Sequence, residues 1–534
     1  MKSNLFGLAA GTPTLIFLAG ALAALAESPV TMFRYTPSHC ATLAADSVEI
    51  GEMAWRFNTG AEVRSTPAVA GGLAVFGSGD GFLYAVDLTT GAERWKVGLG
   101  GPVTSSPAVA QGMVIVMGGD GRLHGRRLDN GSPVWAHATG PDLPLGNDPR
   151  TFDMWASSPT VSDGTVYVGG GDGRVYAVDL ATGRERWSHP TASRVRSSPA
   201  VGGGLVYVGS FDGCVYALDA ATGRERWKYQ TGDVVQSSPA LGGGMVYFGT
   251  RAAAVLALDA GTGALKWRRP HSGSWVLSSA AVAKGRVIIG GSDSHLLEAL
   301  DAQTGEPVWS MPVGARTLGS PTVIGDVVAY GAEDFRVYTL DAATGLGLSM
   351  GFTEGAIYSS VVPVAGLLLA GSDDHNLYAF RTRSAVVPSD SAPAAALRVA
   401  EGRYRTKDGD LYTLSLHHGR LSLAYCTYPP ALVVMHSDGS FACTMLWGMT
   451  GRMQGEPGRP VSALILSLFG HESVAERVEV STLGTSAGTR YSIRPFAHPG
   501  EDGSKSEGLG AEGAHPPIVG NPIGKNVSFE ASGA

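Results

Sequence analysis

From residue 52 to 383 the chain is a succession of short apolar runs, each ended by a cluster of Gly, Asp, Asn or Ser. One stretch shows the pattern in full. Val195–Val201, Leu205–Val208 and Cys214–Leu218 are largely apolar, as strands covered on both faces are. Arg226–Tyr229 instead mixes basic and aromatic positions, as a half-exposed strand does. Gly209–Gly213 (Gly-Ser-x-Asp-Gly) separates the second run from the third, and Asp219–Gly223 (Asp-x-x-Thr-Gly) the third from the fourth. In these turns Asp and Thr bond nearby amides, and Gly supplies the left-handed residue. The pattern predicts four antiparallel strands, A to D, with D–A and B–C loops on one face and A–B and C–D loops on the other.

The phrase repeats. Trp recurs at Trp55, Trp95, Trp135, Trp187, Trp227, Trp267 and Trp309, with Met350 at the next place. The Ser-Ser-Pro-like phrase that opens strand A begins at Ser65, Ser105, Ser157, Ser197, Ser237, Ser278, Gly319 and Ser359. A period near 40 residues with this many strands marks a propeller rather than a helical solenoid. The expected fold is all-β: an eight-bladed β-propeller of four-stranded antiparallel blades over residues 52–383, plus a small C-terminal β domain. The repeated Trp reads as inter-blade packing, a flat side chain in the wedge between sheets. Glu52–Phe57, ending in the Trp55 strand, has no A, B and C of its own, and the last unit, Ser359–Phe380, has no D. The early strand is therefore expected to close the last blade, which would otherwise keep an open edge.

Beyond the repeats, residues 398–497 contain alternating segments at Tyr404–Leu416, Gly419–Tyr425 and Val461–Phe469, the period of half-buried strands. Residues 384–397, rich in Pro, Ser and Ala, read as a linker, and 498–534 as a disordered tail. Residues 1–26 combine Lys2, an apolar run from Leu15 to Leu25 and Ala24-Leu25-Ala26, the layout of a cleaved secretory signal peptide. Residues 27–51 form a lead-in segment. Export to the periplasm or beyond follows, with no transmembrane anchor after cleavage and no Cys at the cleavage site to carry a lipid. In that setting Cys426 and Cys443 are candidates for a disulfide, with two buried thiols as the alternative.

Composition narrows the class. The 75 Gly and 30 Pro among 534 residues accompany a hydrophobic content of 44%, which suits many strands and tight turns and excludes a mainly helical or disordered chain. The net charge of −7 with only 16% charged residues argues against nucleic acid as a partner.

Ala217-x-Asp219-x-x-Thr222-Gly223-x-x-x-Trp227 resembles the tryptophan-docking motif of pyrroloquinoline quinone (PQQ) propellers, and the resemblance covers about Trp55–Arg381. It implies the fold but not the chemistry, because enzymes and non-enzymes share such blades. PQQ-dependent alcohol dehydrogenases carry an adjacent Cys pair, a calcium site and a catalytic Asp, and no two cysteines here are adjacent. Asn147, Asp148 and Asp153 come nearest to an acidic and amide cluster. Asp293-Ser-His295 and Asp373-Asp-His375 sit at the repeat's turn and read as turn residues rather than metal ligands. No catalytic residue, metal site or cofactor is expected; PQQ with calcium is the enzymatic alternative. The C-terminal segment is similar to small lipocalin-like β-domains appended to some serine hydrolases.

Specificity in a ring of like units resides where the units differ. The departures fall on the D–A/B–C face: twelve extra residues between Trp135 and Ser157, in a stretch that includes Pro141–Trp155, an Arg251-Ala-Ala turn where other units have Asp-Gly, and Phe335 and His375 in place of the turn Gly. Arg64, Arg196, Gln236 and Tyr358, each preceding a Ser-Ser pair, should ring the mouth of the central channel. With Arg251, Asp148 and Trp155 they are the candidate partner-binding residues. The arginines either make a positive funnel for a carboxylate, phosphate or acidic peptide, or pair with turn residues of the Asp80 or Asp212 type. The expected function is a monomeric, non-catalytic, exported binding protein for a protein, peptide or envelope ligand. An outer-membrane assembly factor is a second expectation, to which the absent lipid-bearing Cys and the added C-terminal domain run counter.

Overall fold

The computed structural model describes residues 30–478 apart from 44–45, 145–152, 272, 385–389, 391, 393, 426–429, 446–448, 456–458 and 469–470. The signal-peptide and tail expectations, Asp148 and Cys426 fall outside the described residues.

The turn signals place the strands closely. In the repeat quoted above they are Ala200–Gly202, Leu205–Gly209, Cys214–Asp219 and Glu225–Gln230, paired antiparallel in chain order. Strand A is shorter than its apolar run. Pro199 has no N–H for a ladder, and the Ser198 N–H donates instead to Ser238 Oγ of the next repeat, at 2.9 Å. The outermost pair carries a bulge between Ala217 and Leu218, which sets Trp227 opposite Ala217.

Seven four-stranded sheets are separate, and the expectation of eight like blades is corrected by the remaining repeat. Its strands, Thr322–Ile324, Val327–Ala332, Arg336–Asp341 and Gly347–Phe352, belong to a thirteen-stranded sheet that runs on into the C-terminal domain through a parallel contact of Gly347 with Ala431. This repeat is the one without a Trp. Its register puts Ser349, not Met350, opposite Thr339 in the Trp place. Gly347 pairs with Leu340 as Glu225 pairs with Leu218, and a Cβ there would collide with Met445 of the C-terminal domain. A bare backbone at this point lets the two parts join: the Gly347 N–H donates to Pro430 O at 2.9 Å.

The C-terminal strands, from Gly402–Thr406 to His471–Val478, each pair antiparallel with the next, and the last returns to the first. The result is a closed up-and-down barrel of eight strands with Tyr404, Leu421, Phe441 and Leu464 in its core. Part of the expected linker is a helix, Ala394–Ala400, whose Leu397 and Ala400 are buried in that same core. An Ala-rich run has high helix propensity, and the barrel gives it an apolar surface to cover.

The Trp residues join the repeats. Each indole N–H donates to a carbonyl of the following repeat: Trp55 to Leu88, Trp95 to Leu128, Trp135 to Leu180, Trp187 to Ala220, Trp227 to Ala260, Trp267 to Ala302 and Trp309 to Ala342, all at 2.9–3.0 Å. The Thr-Gly turn of that next repeat lies on the ring. Gly263, at φ 74°, would bring a Cβ within 2.7 Å of the Trp227 indole, so both its conformation and its missing side chain are required. Ring closure is as expected, and the closing strand is longer than Glu52–Phe57: Val48–Asn58 pairs antiparallel with Asn376–Ser384, Trp55 opposite Ala379.

The lead-in segment is not a simple approach to this strand. Residues 30–43 cross the central channel beneath the Ser-Ser phrases and bond to every repeat. Carbonyls of Val30, Thr31, Pro37, Ser38, Cys40 and Ala41 accept N–H bonds from Val69, Val109, Val201, Leu241, Val282 and Val323, at 2.5–3.0 Å. His39 Nε2 meets Thr160 Oγ1 at 3.0 Å, and the Tyr35 hydroxyl donates to Val361 O at 2.7 Å. Arg34 reaches Pro321 O and Ala280 O. Arg34 and His39 are buried, 1% and 0% exposed. Arg34, Tyr35, His39 and Ala41 all have φ between 51° and 72°, a left-handed conformation unfavourable for residues with a Cβ. Such strain persists only where the surroundings over-determine the conformation, and bonds from all sides of a ring do so.

Candidate functional site

The channel mouth lies on the D–A/B–C face, where loops of both kinds bond each other: Val63 N–H to Ser372 O at 3.0 Å and Gly60 N–H to Asp80 Oδ2 at 2.7 Å. The turn Asp residues are used up locally. Asp212 accepts from the amides of Ala192 and Cys214 and from the Tyr216 hydroxyl, at 2.7–2.9 Å. They are therefore not the partners of the arginines.

The partners are Asp373, in the turn of the last repeat one residue before the Asp212-type place, and two carboxylates of the insertion. Arg64 makes a two-point pair with Asp373 Oδ1 and Oδ2, at 2.9 and 2.8 Å, and lies 5.3 Å over the Tyr358 ring. Burial alone would lower its pKa, but the Asp373 bond and charge prevail and hold it above the ordinary value. Arg196 bonds both oxygens of Asp153 at 2.7 and 2.8 Å and also Asp142, and Arg194 pairs with the same two carboxylates. Arg196 is likewise shifted up: burial lowers it, while Asp153 and then Asp142 raise it further. The Asp153 side chain is only 5% exposed. The positive funnel is thus corrected to a set of matched ion pairs, two of whose carboxylates come from the described ends of the insertion.

Trp155 and Met154, at the end of the insertion, cross the mouth. The Trp155 ring meets Tyr358 edge-on at 6.2 Å, and Met154 Sδ accepts from Arg64 Nη1 at 3.2 Å. The Tyr358 hydroxyl donates to Glu333 at 2.9 Å; burial and this bond push its pKa up. Arg64, Arg196, Gln236, Trp155 and Tyr358 therefore converge as the sequence suggested. Arg251 does not reach the mouth. It is buried, 4.8 Å over Trp275 and 5.2 Å over Phe211, and it donates to Gln236 Oε1 at 2.7 Å. His295 and His375 occupy turn positions at φ 52° and 72°. Cys40, Cys214 and Cys443 are free thiols; burial raises the pKa of Cys443 to about 12.

Beneath the arginines is a belt that sequence reasoning passed over. In seven of the eight phrases the second residue lends its hydroxyl to the amide of the preceding repeat, from Thr66 N–H to Ser106 Oγ through to Ser360 N–H to Thr66 Oγ1, at 2.9–3.0 Å. The repetition of Ser at this place was the available signal. The belt surrounds a cavity of about 70 Å³, floored by Phe33 of the lead-in segment.

The profile described as outer membrane protein assembly factor BamB matches residues 41–193, 129–275 and 271–423. The chain belongs to this PQQ-like repeat family. Among solved structures it is similar to BamB from Moraxella catarrhalis, with 19% identity over 63% of this chain and 99% of the other and a TM-score of 0.52. A quinohemoprotein alcohol dehydrogenase from Comamonas testosteroni is 16% identical over 72% of this chain and 86% of the other, TM-score 0.56. The computationally designed Ika8 protein is 17% identical over 63% and 100%, TM-score 0.53. Identities this low bear on the fold alone. No curated protein matches the chain by sequence.

The described residues of this mouth do not offer the space or the ligand set that a quinone and its calcium ion call for, and Asn147 and Asp148, the nearest candidates in the sequence, lie outside them. Ligand pockets for molecules of that size span roughly 300 Å³ or more, against about 70 Å³ at this mouth. Among the described residues no three His, Cys, Asp or Glu side chains come together to hold a cation. No helix among the described residues is long and apolar enough to cross a membrane.

Proposed function

We propose that this is an exported, non-catalytic scaffold that captures a protein or peptide of the cell envelope on its D–A/B–C face, acting as a monomer without a cofactor. The carrying observation is the construction of the channel mouth. An insertion from one repeat is fixed by Arg194 and Arg196, reaches Arg64 and Tyr358, and presents Trp155 over a channel that the chain's own lead-in segment fills. A rigid ring presenting a pinned loop loses little further ordering entropy on binding, which suits recognition. The family's description as an outer membrane assembly factor supports a protein partner and a place in the envelope. The dehydrogenase alternative has only the shared fold behind it.

The test compares the full chain with Trp155→Ser and with a deletion of residues 141–153 in affinity capture from envelope extract, each variant first checked for an unchanged melting temperature of the propeller. Specific capture should fall in both. Equal capture by all three proteins, or quinone absorbance with alcohol-dependent dye reduction after incubation with PQQ and calcium, contradicts the reading.

A further inference from the structure

The hydroxyl belt and Gln236 together have unspent hydrogen-bond donors. Thr66 and its seven equivalents up to Ser360 are 4–7% exposed, all toward the mouth cavity. Seven of their oxygens accept an amide bond, which uses a lone pair and leaves the hydroxyl hydrogen free to turn inward. Gln236 is 7% exposed and lines the same cavity. Its Oε1 is held by Arg251, and that bond fixes the amide the other way round: Nε2 has no partner. A buried amide without a partner costs stability comparable to a lost hydrogen bond, so it calls for an acceptor. The electrostatics agree. Arg64 and Arg196 line the cavity, whereas Asp373, Asp153 and Asp142, which neutralise them, do not. An occupant therefore meets donors and guanidinium edges before it meets any carboxylate. The space, about 70 Å³, fits one small planar group and nothing larger.

We infer that this cavity is a subsite for a single carboxylate, presented by a partner peptide as an acidic side chain or a chain terminus. The inference rests on the proposed peptide-binding role of this face but is tested apart from it. The group enters past Trp155, accepts from Gln236 Nε2 and the nearest belt hydroxyls, and lies beside Arg196 or Arg64, while Phe33 sets the depth. Gln236 is thus a recognition residue, and Arg251 positions it.

The test titrates the full-length protein at constant ionic strength with acetate, with phosphate and with three short neutral peptides: one with a free C-terminal carboxylate, the same peptide amidated, and an amidated peptide with one internal aspartate. Saturable acetate binding is expected, tighter binding of at least one acid-bearing peptide, and none of the fully amidated one; which acidic peptide binds identifies the source. Gln236→Leu should weaken binding at least about tenfold, since a charged acceptor loses its donor. Gln236→Glu should abolish it by repulsion while keeping the contact with Arg251. Should Gln236 variants melt early, Ala156→Leu, which fills the cavity from its rim and touches no donor, should block binding by itself. Absence of saturable acetate binding, phosphate bound in preference to acetate, or affinities indifferent to both Gln236→Leu and Ala156→Leu would overturn the subsite. Acetate binding without capture of any envelope protein would instead leave the subsite standing and remove the scaffold role.

Discussion

The lead-in segment makes a pH prediction that can be worked out from one residue. His39 is fully buried between the Phe33 ring, at 5.7 Å, and Thr160, with Arg34 of the same segment as its charged neighbour. Burial, and then the Arg34 charge, lower its pKa from 6.5 to about 3. The unfolded chain therefore binds a proton on this ring where the folded chain does not, and stability falls as the pH drops below about 6.5. At pH 5, about 1.5 pH units under the unfolded-state value, the loss is about 2 kcal/mol, and it continues to grow until about pH 3. Other groups titrate over the same range, so the assay is differential: urea unfolding of the wild type and of His39→Gln at pH 8 and pH 5, followed by the fluorescence of the docking Trp residues. Gln reaches Thr160 but does not titrate, so the two proteins should differ by no more than about 1 kcal/mol at pH 8. Between pH 8 and pH 5 the wild type should lose about 2 kcal/mol more than the variant. Parallel losses would mean that His39 protonates freely, and the segment would not be a dry plug.

Other perturbations follow from the same geometry. Arg34→Ala strands two buried carbonyls, of Pro321 and Ala280, and should destabilise the propeller by about 2–5 kcal/mol in the same urea assay. Trp227→Phe keeps the packing and loses the bond to Ala260, at about 1 kcal/mol, whereas Trp227→Ala opens the wedge at about 3–5 kcal/mol; calorimetry ranks the two. Gly347→Glu introduces the residue found at this place in three of the other repeats but drives a side chain into Met445, so the barrel should come away from the propeller and proteolysis between 385 and 393 should accelerate. Arg196→Met leaves Asp153 with Arg194 alone, and cleavage within 141–152 should quicken while the melting temperature of the ring stays close to that of the wild type.

What the sequence displayed was whatever repeats. Trp227, Ser238 and the Asp219–Gly223 turn reappear because each copy must solve the same wedge, belt and hairpin, and the absence of a D strand after Phe380 pointed to Glu52–Phe57, which lies within the observed strand Val48–Asn58. The plug was hidden for the opposite reason. Its bonds are made by backbone carbonyls of Val30 to Ala41, which carry no side-chain pattern, in a conformation that Arg34 and His39 do not favour locally. The arginine partners were hidden by distance: Asp373 is 309 residues from Arg64, and Asp153 reaches Arg196 only because the insertion folds back. The fusion with the barrel did leave a trace, a Gly at 347 where the other repeats carry a side chain and Ser349 in the place of Trp, but it reads as drift until Met445 is placed against it.

The most direct measurement is site-specific photocrosslinking in intact cells from two positions on opposite faces. A photoreactive residue at Asp142, half exposed beside the channel mouth, should give a discrete adduct with a partner protein that disappears in the Trp155→Ser background. The same residue at Thr222, in a C–D turn, should give none. Equal adducts from both positions, or an adduct from Thr222 alone, would contradict recognition at the D–A/B–C face.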